Sequence, residues 1–304
     1  MSRVSTMIDT FEENRPVLRA VAYRMLGSFT DAEDVVQDAW PKWDKAGAET
    51  EIVNPRAFLV TIVTRLSLDR LRSAASRHED YTGSWLPEPS TEEEPVIAGT
   101  GDPGALAALR DSVSLGMLVL LESLSPLERA AYVLREAFGF SHGEIGEALD
   151  RSEAGVRQLV KRARAHVAEQ RPRFVSDREK QREVTERFMT ASINGDLATL
   201  LEVLAPDITV VTDTGGRVAG NLRPISGSSR VARAMAKANG FVEGNLTAAP
   251  TWINGEPGGI VFLDGKPHAT FIAELDAEGR ITRLLCVANP DKLGHIRSAG
   301  DGTA

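Results

Sequence analysis

The sequence predicts a multidomain chain in which two all-α blocks precede an α+β domain. Three observations carry this. Apolar residues recur at helical spacing over about residues 10–78 and again over about 105–171. Between these blocks, from Tyr81 to Gly104, periodicity disappears and Pro, Gly, Ser, Thr and Glu dominate. From about residue 178 two helical stretches give way to β-rich runs divided by Gly-containing turns. With 42% hydrophobic and 26% charged residues over 304, the chain can bury a core in each part.

In the first block Val17, Val21 and Met25 mark one helix. "TDAEDVVQDAW" starts the next, with Thr30 as its expected N-cap and acids in its first turn. Pro41 is expected to stop or kink it. A third helix fits "PRAFLVTIVTRLSLDRLRSAASR", with Pro55 in the first turn and Phe58, Ile62 and Leu66 following. The linker is acidic: from Glu79 to Asp102 there are seven acids and no Lys or Arg. It nevertheless holds "SWLPEP", residues 84–89, in which two prolines stiffen the chain toward an extended form and present Trp85 and Leu86 as an anchor.

The second block breaks at "SLSPLE" and "FGFSHGE" and then reads as a helix-turn-helix. Ile145 and Leu149 form the inner face of its first helix, Asp150 and Arg151 the turn, and Ser152 the N-cap of its second helix. In that helix Val156, Val160, Ala163 and Val167 make one apolar stripe. The other side carries Gln158 and Lys161, flanked by Arg157 and Arg162. Arg and Lys address guanine edges or phosphates and Gln pairs with adenine, so this face suits the major groove. Charge placement agrees: Arg151 to Arg173 holds seven basic residues against two acids, although the chain as a whole carries −8.

The third part starts with a helix to Ile193, the turn Asn194-Gly195-Asp196 and the short helix "LATLLEVLA". Then come "ITVVTD", "LTAAPTWI", "GIVFLDG", "HATFIAELD" and "RITRLLCVA", read as a curved antiparallel sheet. Gly215-Gly216 reads as a tight turn after a strand, and "NPDKL", residues 289–293, as a turn leading into a terminal helix. Asp213 and His268 are candidate acids or bases for a pocket, without an identifiable partner in the sequence. The single cysteine, Cys286, excludes an internal disulfide and argues against a Cys-based zinc site, and His78, His142 and His166 lack metal-ligand spacing. No cofactor, metal or catalytic set is expected. There is no run of about 18 apolar residues and no apolar core near the start, so a cytoplasmic protein without membrane contact is expected.

Two separate blocks in this order resemble regions 2 and 4 of extracytoplasmic-function sigma factors: "LRAVAYRMLGSFTDAEDVVQDAW" with "PRAFLVTIVTRLSLDRLRSA", then "LESLSPLERAAYVLREAFGFSHGEIGEAL". The resemblance implies that Asp34, Gln37 and Asp38 meet core RNA polymerase and that Arg65, Asp69, Arg70 and Arg72 lie on the helix that captures the melted −10 strand. It further implies that Arg157, Gln158, Lys161 and Arg162 read the −35 duplex, with no covalent chemistry performed. Many relatives carry Asn where Arg65 stands.

"INGDLATLLEVLAPDITVVTD" resembles the opening of SnoaL-like domains, cone-shaped α+β folds. Within the sigma factors, the SigJ type with such an extension carries three signatures, all found here: Trp85-Leu86-Pro87-Glu88-Pro89, Asn289-Pro290-Asp291-Lys292-Leu293 and, as a variant of Asp-Gly-Gly-Gly-Lys, Asp213-Thr214-Gly215-Gly216-Arg217. The expected parts are region 2 over 1–80, the linker over 81–104, region 4 over 105–172 and the SnoaL-like domain over 173–304. The resemblance implies that the extension acts in cis on the sigma domains through these signatures, by intramolecular contact. Two other readings stay open: an extension that senses an unknown small molecule or is an active enzyme, and a ligand-responsive helix-turn-helix repressor. The polymerase-docking acids argue against the repressor.

Overall fold

The structure, a computed structural model, describes residues 3–78, 81–91, 114–170, 177–220, 222–237 and 243–298. Residues 92–104 of the linker, the expected helical start at 105–113, and Arg171 and Arg173 lie outside the described residues. The chain divides into two compact units. One comprises residues 1–79, 94–113 and 117–171, the other residues 80–93, 114–116 and 172–304. The four expected parts are thus regrouped: the two helical blocks share a unit, and the "WLPEP" half of the linker belongs with the C-terminal domain.

The first unit opens with α1 (Arg3–Leu26), α2 (Phe29–Glu49) and α3 (Pro55–His78). Two expectations are corrected here. The N-cap of α2 is Ser28, whose hydroxyl accepts from Asp31 N at 3.1 Å, rather than Thr30, because the chain already turns helical at Phe29, whose ring stacks on Tyr23. Helix α2 also runs through Pro41, so of the two outcomes expected there the stop does not occur. The lost backbone bond is offset by burial on either side, with Ala39 and Trp43 enclosed and the Trp43 indole donating to Met7 O at 3.1 Å.

The second block contains α4 (Leu115–Glu122), α5 (Pro126–Tyr132), a π-helical turn (Val133–Ala137), α6 (His142–Leu149) and α7 (Glu153–Gln170). Capping boxes start α5 at Ser125 and α6 at Ser141, with Glu128 and Glu144 closing each box. Asp150 ends α6 in the left-handed conformation at φ 54°, and Ser152 Oγ accepts from Gly155 N at 3.2 Å to open α7. A single apolar cluster runs from Leu18, Val36 and Leu59 of the first block to Leu134, Ile145 and Val160 of the second. That shared core is why the blocks do not separate as the linker's composition suggests.

The second unit contains α8 (Arg178–Asn194), α9 (Leu197–Val203), β1 (Leu204–Asp213), β2 (Ile225–Ser226), α10 (Ser228–Ala236), β3 (Leu246–Ile253), β4 (Glu256–Leu263), β5 (Lys266–Leu275) and β6 (Ile281–Val287). The six strands are ordered β2-β1-β6-β5-β4-β3 among the described residues. The expectation of an antiparallel sheet is corrected at one place: β1 and β6 are parallel, with Asp213 beside Val287. Alternate residues Phe271, Ala273 and Leu275 of β5 pack with Phe188, Leu200 and Val231 from the helices, so one face of the sheet is the helix-covered core. After β6, "NPDKL" forms a 3-10 turn (Pro290–Lys292) rather than the start of a helix, with Asn289 Oδ1 accepting from Asp291 N at 3.1 Å.

Candidate functional site

The parallel pairing sets Asp213, the last residue of β1, beside the chain that leaves β6, and Ala288 N donates to Asp213 O at 2.7 Å. The Asp213 side chain is fully buried and takes four hydrogen bonds. Its Oδ1 accepts from Tyr81 Oη at 2.6 Å and from Gly215 N at 3.0 Å. Its Oδ2 accepts from Leu86 N at 2.9 Å and from Lys292 Nζ at 2.8 Å. Lys292, only 7% exposed, also donates to Leu86 O at 2.5 Å and sits over the Trp85 ring at 4.2 Å and the Tyr81 ring at 5.2 Å. One carboxylate and one ammonium therefore clamp the linker backbone at Leu86 from both its N–H and its C=O.

The structure brings most of the three signatures together in this network. Leu86 is buried to 1% exposure, contributing about 1.5–3 kcal/mol by burial. Trp85 is half-buried, and Pro87, Glu88 and Pro89 are enclosed. Asn289 Nδ2 donates to Tyr81 Oη at 2.9 Å, and Leu293 is buried. Gly215 and Gly216 have φ of 56° and 68°. A Cβ on Gly215 would stand 2.4 Å from Asn289 Nδ2, and one on Gly216 would stand 3.0 Å from Thr82 Cβ, so both glycines make room for the linker and the 3-10 turn. Arg217 is not in the buried network. It pairs with Asp291 at 3.1 Å, with both side chains more than half exposed, a contact of little energetic weight.

Four residues of this site escaped the sequence reading. Tyr81 was signalled only by standing alone in an aperiodic acidic segment just ahead of Trp85. Ser90 exchanges hydrogen bonds with Asn254, giving its N–H to Asn254 Oδ1 at 3.0 Å and taking Asn254 N at 2.7 Å. The His295 ring lies 2.6 Å from Pro89 O. These pairs are too far apart in the chain to leave a local signal.

Burial, followed by the bond to Asp213, raises the Tyr81 hydroxyl above its ordinary 10.0. A raised folded-state value means stability that is present below pH 10 and lost as pH rises toward the folded value. Unfolding of the C-terminal unit should therefore become easier above about pH 10, and Tyr81→Phe should flatten that dependence in urea titrations read by circular dichroism. An unchanged slope in the variant would assign the alkaline loss elsewhere.

The first unit carries the other predicted residues. On α2, Gln37 and Asp38 are exposed, while Asp34 is held at 3.0 Å by Arg70 of α3, which also reaches Asp31. Arg70 thus ties two helices together rather than standing free for a strand. Arg72 pairs with Asp69 on the exposed side of α3. Arg65 is engaged too: its Nε donates to Ala148 O at 3.0 Å and its Nη2 to Glu147 O at 2.8 Å, capping the C-terminal carbonyls of α6. The reciprocal contact comes from Arg129 of α5, which donates to Met25 O at the end of α1 at 2.8 Å and pairs with Glu122. Arg24, 1% exposed, lies over the Phe138 ring at 5.2 Å. On α7, Val156, Val160, Ala163 and Val167 face the core and Arg157, Gln158, Lys161 and Arg162 face out. Arg157 pairs with Glu153 and Arg162 with Glu128, which leaves Gln158 and Lys161 as the open part of this surface.

Family comparison accounts for both blocks. Residues 10–77 match the Sigma-70 region 2 model and residues 115–167 the Sigma-70, region 4 model. The chain is 39% identical over 301 residues to the ECF RNA polymerase sigma factor SigJ of Mycobacterium tuberculosis (strain ATCC 25618 / H37Rv), covering 94% of this chain and 92% of that protein. The chain belongs to the extracytoplasmic-function RNA polymerase sigma factors. A crystal structure of the Mycobacterium tuberculosis SigJ superposes with a TM-score of 0.69 at 34% identity, over 94% of this chain and 98% of that one. A probable sigma factor of the same class, SigI of Mycobacterium tuberculosis, is 29% identical over 98% of both chains. This sigma factor therefore combines helical regions 2 and 4, which serve promoter-directed initiation by RNA polymerase, with a C-terminal α+β domain. No helix among the described residues is long and apolar enough to cross a membrane.

Proposed function

We propose that this sigma factor is restrained in cis, its C-terminal unit capturing the linker that joins regions 2 and 4. The observation that carries the reading is the buried Lys292, which bridges Asp213 of the SnoaL-like domain and the backbone of Leu86 in the linker. A tether makes such contacts effectively intramolecular at roughly millimolar concentration, so a modest interface stays occupied. Regions 2 and 4 share one core, and Arg65 is spent on carbonyls of α6. In this arrangement Arg65 is unavailable to a melted strand, so initiation requires the two regions to part and the linker to be released.

In the released form, Asp34, Gln37 and Asp38 dock on core polymerase, Arg65, Asp69, Arg70 and Arg72 serve the −10 strand, and α7 enters the −35 duplex. The work is done in the cytoplasm, and the C-terminal unit regulates rather than catalyses. Asp213 supports this, since four donors fill its acceptor capacity and leave it no base to offer.

The test is run-off transcription with purified core polymerase, comparing the full chain, Lys292→Met and graded C-terminal truncations. Restraint predicts several-fold more initiation when the clamp is broken. Unchanged initiation and core affinity would make the extension a passenger, and a fall would make it a support. For the −35 face, Lys161→Ala should reduce the salt slope of duplex binding by about one, whereas Gln158→Ala should change base preference with the slope intact. Equal small effects from both would count against α7 lying in the groove with this face inward.

A further inference from the structure

The C-terminal unit has a second feature that shares no residue with the clamp. A cleft of about 210 Å3 is lined by Arg182, Thr185 and Glu186 of α8, Pro250 to Trp252 of β3, and Pro257 and Gly258 of β4. Pro250 and Trp252 are two apart on the edge strand and lie on the face turned toward α8. Trp252 is 49% exposed, an unusual setting for the largest apolar side chain. Arg178 lies over its indole, 6.0 Å from the ring centre.

Thr185 lines the same cleft. It is 1% exposed, and its hydroxyl has no hydrogen-bond partner among the described residues. A buried hydroxyl left unsatisfied is costly, and a group entering the cleft would repay it. In the lining, Arg182 and Glu186 pair at 3.2 Å with both substantially exposed, and Arg178, over Trp252 outside the lining, adds positive charge beside the cleft. The cleft thus has apolar ring-sized walls, a buried hydrogen-bonding group and excess positive charge beside it. A cavity of about 150 Å3 holds benzene, so the space here accommodates a substituted six-membered ring.

We propose that this cleft binds a small aromatic carboxylate whose ring carries a hydrogen-bonding group opposite the carboxylate. The ring lies against Trp252 and the two prolines, the far substituent meets Thr185, and the carboxylate faces Arg182 and Arg178. The proposal does not depend on restraint in cis, because its readout is binding alone.

Isothermal titration of the full chain with 4-hydroxybenzoate, benzoate and 4-hydroxybenzyl alcohol tests it. The expected order is 4-hydroxybenzoate tightest, benzoate weaker by about 3- to 10-fold for one lost hydrogen bond, and the alcohol weakest. Thr185→Val keeps the shape and removes the hydroxyl, so it should bring 4-hydroxybenzoate and benzoate to equal affinity. Trp252→Ala, at an exposed position that folding tolerates, should weaken all ring-bearing probes. The proposal is overturned if no probe saturates the native chain at millimolar concentration. It is equally overturned if the preference for the hydroxylated ring survives Thr185→Val, or if the alcohol binds as well as the carboxylate.

Discussion

Replacing Lys292 by Met is expected to destabilise the C-terminal unit by about 3–5 kcal/mol, because it strands a buried carboxylate without its counter-charge. Asp213 would keep three donors, from Tyr81, Gly215 and Leu86, but lose the one cation that pairs with it among the described residues. The Leu86 carbonyl would lose its partner as well. Urea denaturation measures the loss, and amide exchange at Leu86 and Ser90 reports whether the linker leaves first. The double variant Asp213→Asn with Lys292→Met should recover part of the stability, since an uncharged pair no longer buries a lone charge. If the two single losses simply add, the residues are not coupled and the clamp does not act as a unit.

The second large effect is expected from Gly215→Ala. Left-handed backbone costs a residue with a Cβ about 1–2 kcal/mol. At this position the new carbon would also stand 2.4 Å from Asn289 Nδ2 and 2.7 Å from Asn289 Cγ, and Asn289 is itself buried. Displacing it breaks its bond to Tyr81 and the capping bond from Asp291 N, so a total near 2–4 kcal/mol is expected. Gly265→Ala is the control, with φ of 78° and nothing within 4 Å of its Cβ. It should show the backbone strain alone. Equal losses at both glycines, measured by thermal denaturation, would mean that the close approach to Asn289 is relieved without cost.

What the residues disclosed in advance follows the range of the forces involved. Helix α7 was legible because its apolar stripe and its cap at Ser152 are set within a few residues of each other. The turn at Gly215-Gly216 was legible for the same reason. The three signatures could be found in the sequence, but not the chemistry that unites them, since Tyr81 and Asp213 are 132 residues apart and Asp213 and Lys292 are 79 apart. Pro41 does not stop α2, since burial of Ala39 and Trp43 outweighs one missing backbone bond. The antiparallel expectation failed at β1 because strand pairing is decided by the crossover that brings β6 back beside it, which no alternation pattern encodes. The internal partners of Arg65 and Arg70 leave no local signal either. Both are spent within the protein, on carbonyls and carboxylates that only the folded chain brings near.

The contact between Leu86 and Lys292 also has a meaning in time. The two residues are 206 positions apart, and at about 5–20 residues per second a ribosome needs roughly 10–40 s to pass from one to the other. In the later part of that interval, once Gln170 is made, the nascent chain contains both helical regions, yet has neither the ammonium nor the turn that would hold the linker. Each new molecule therefore passes through a youth in which the grip has not been made.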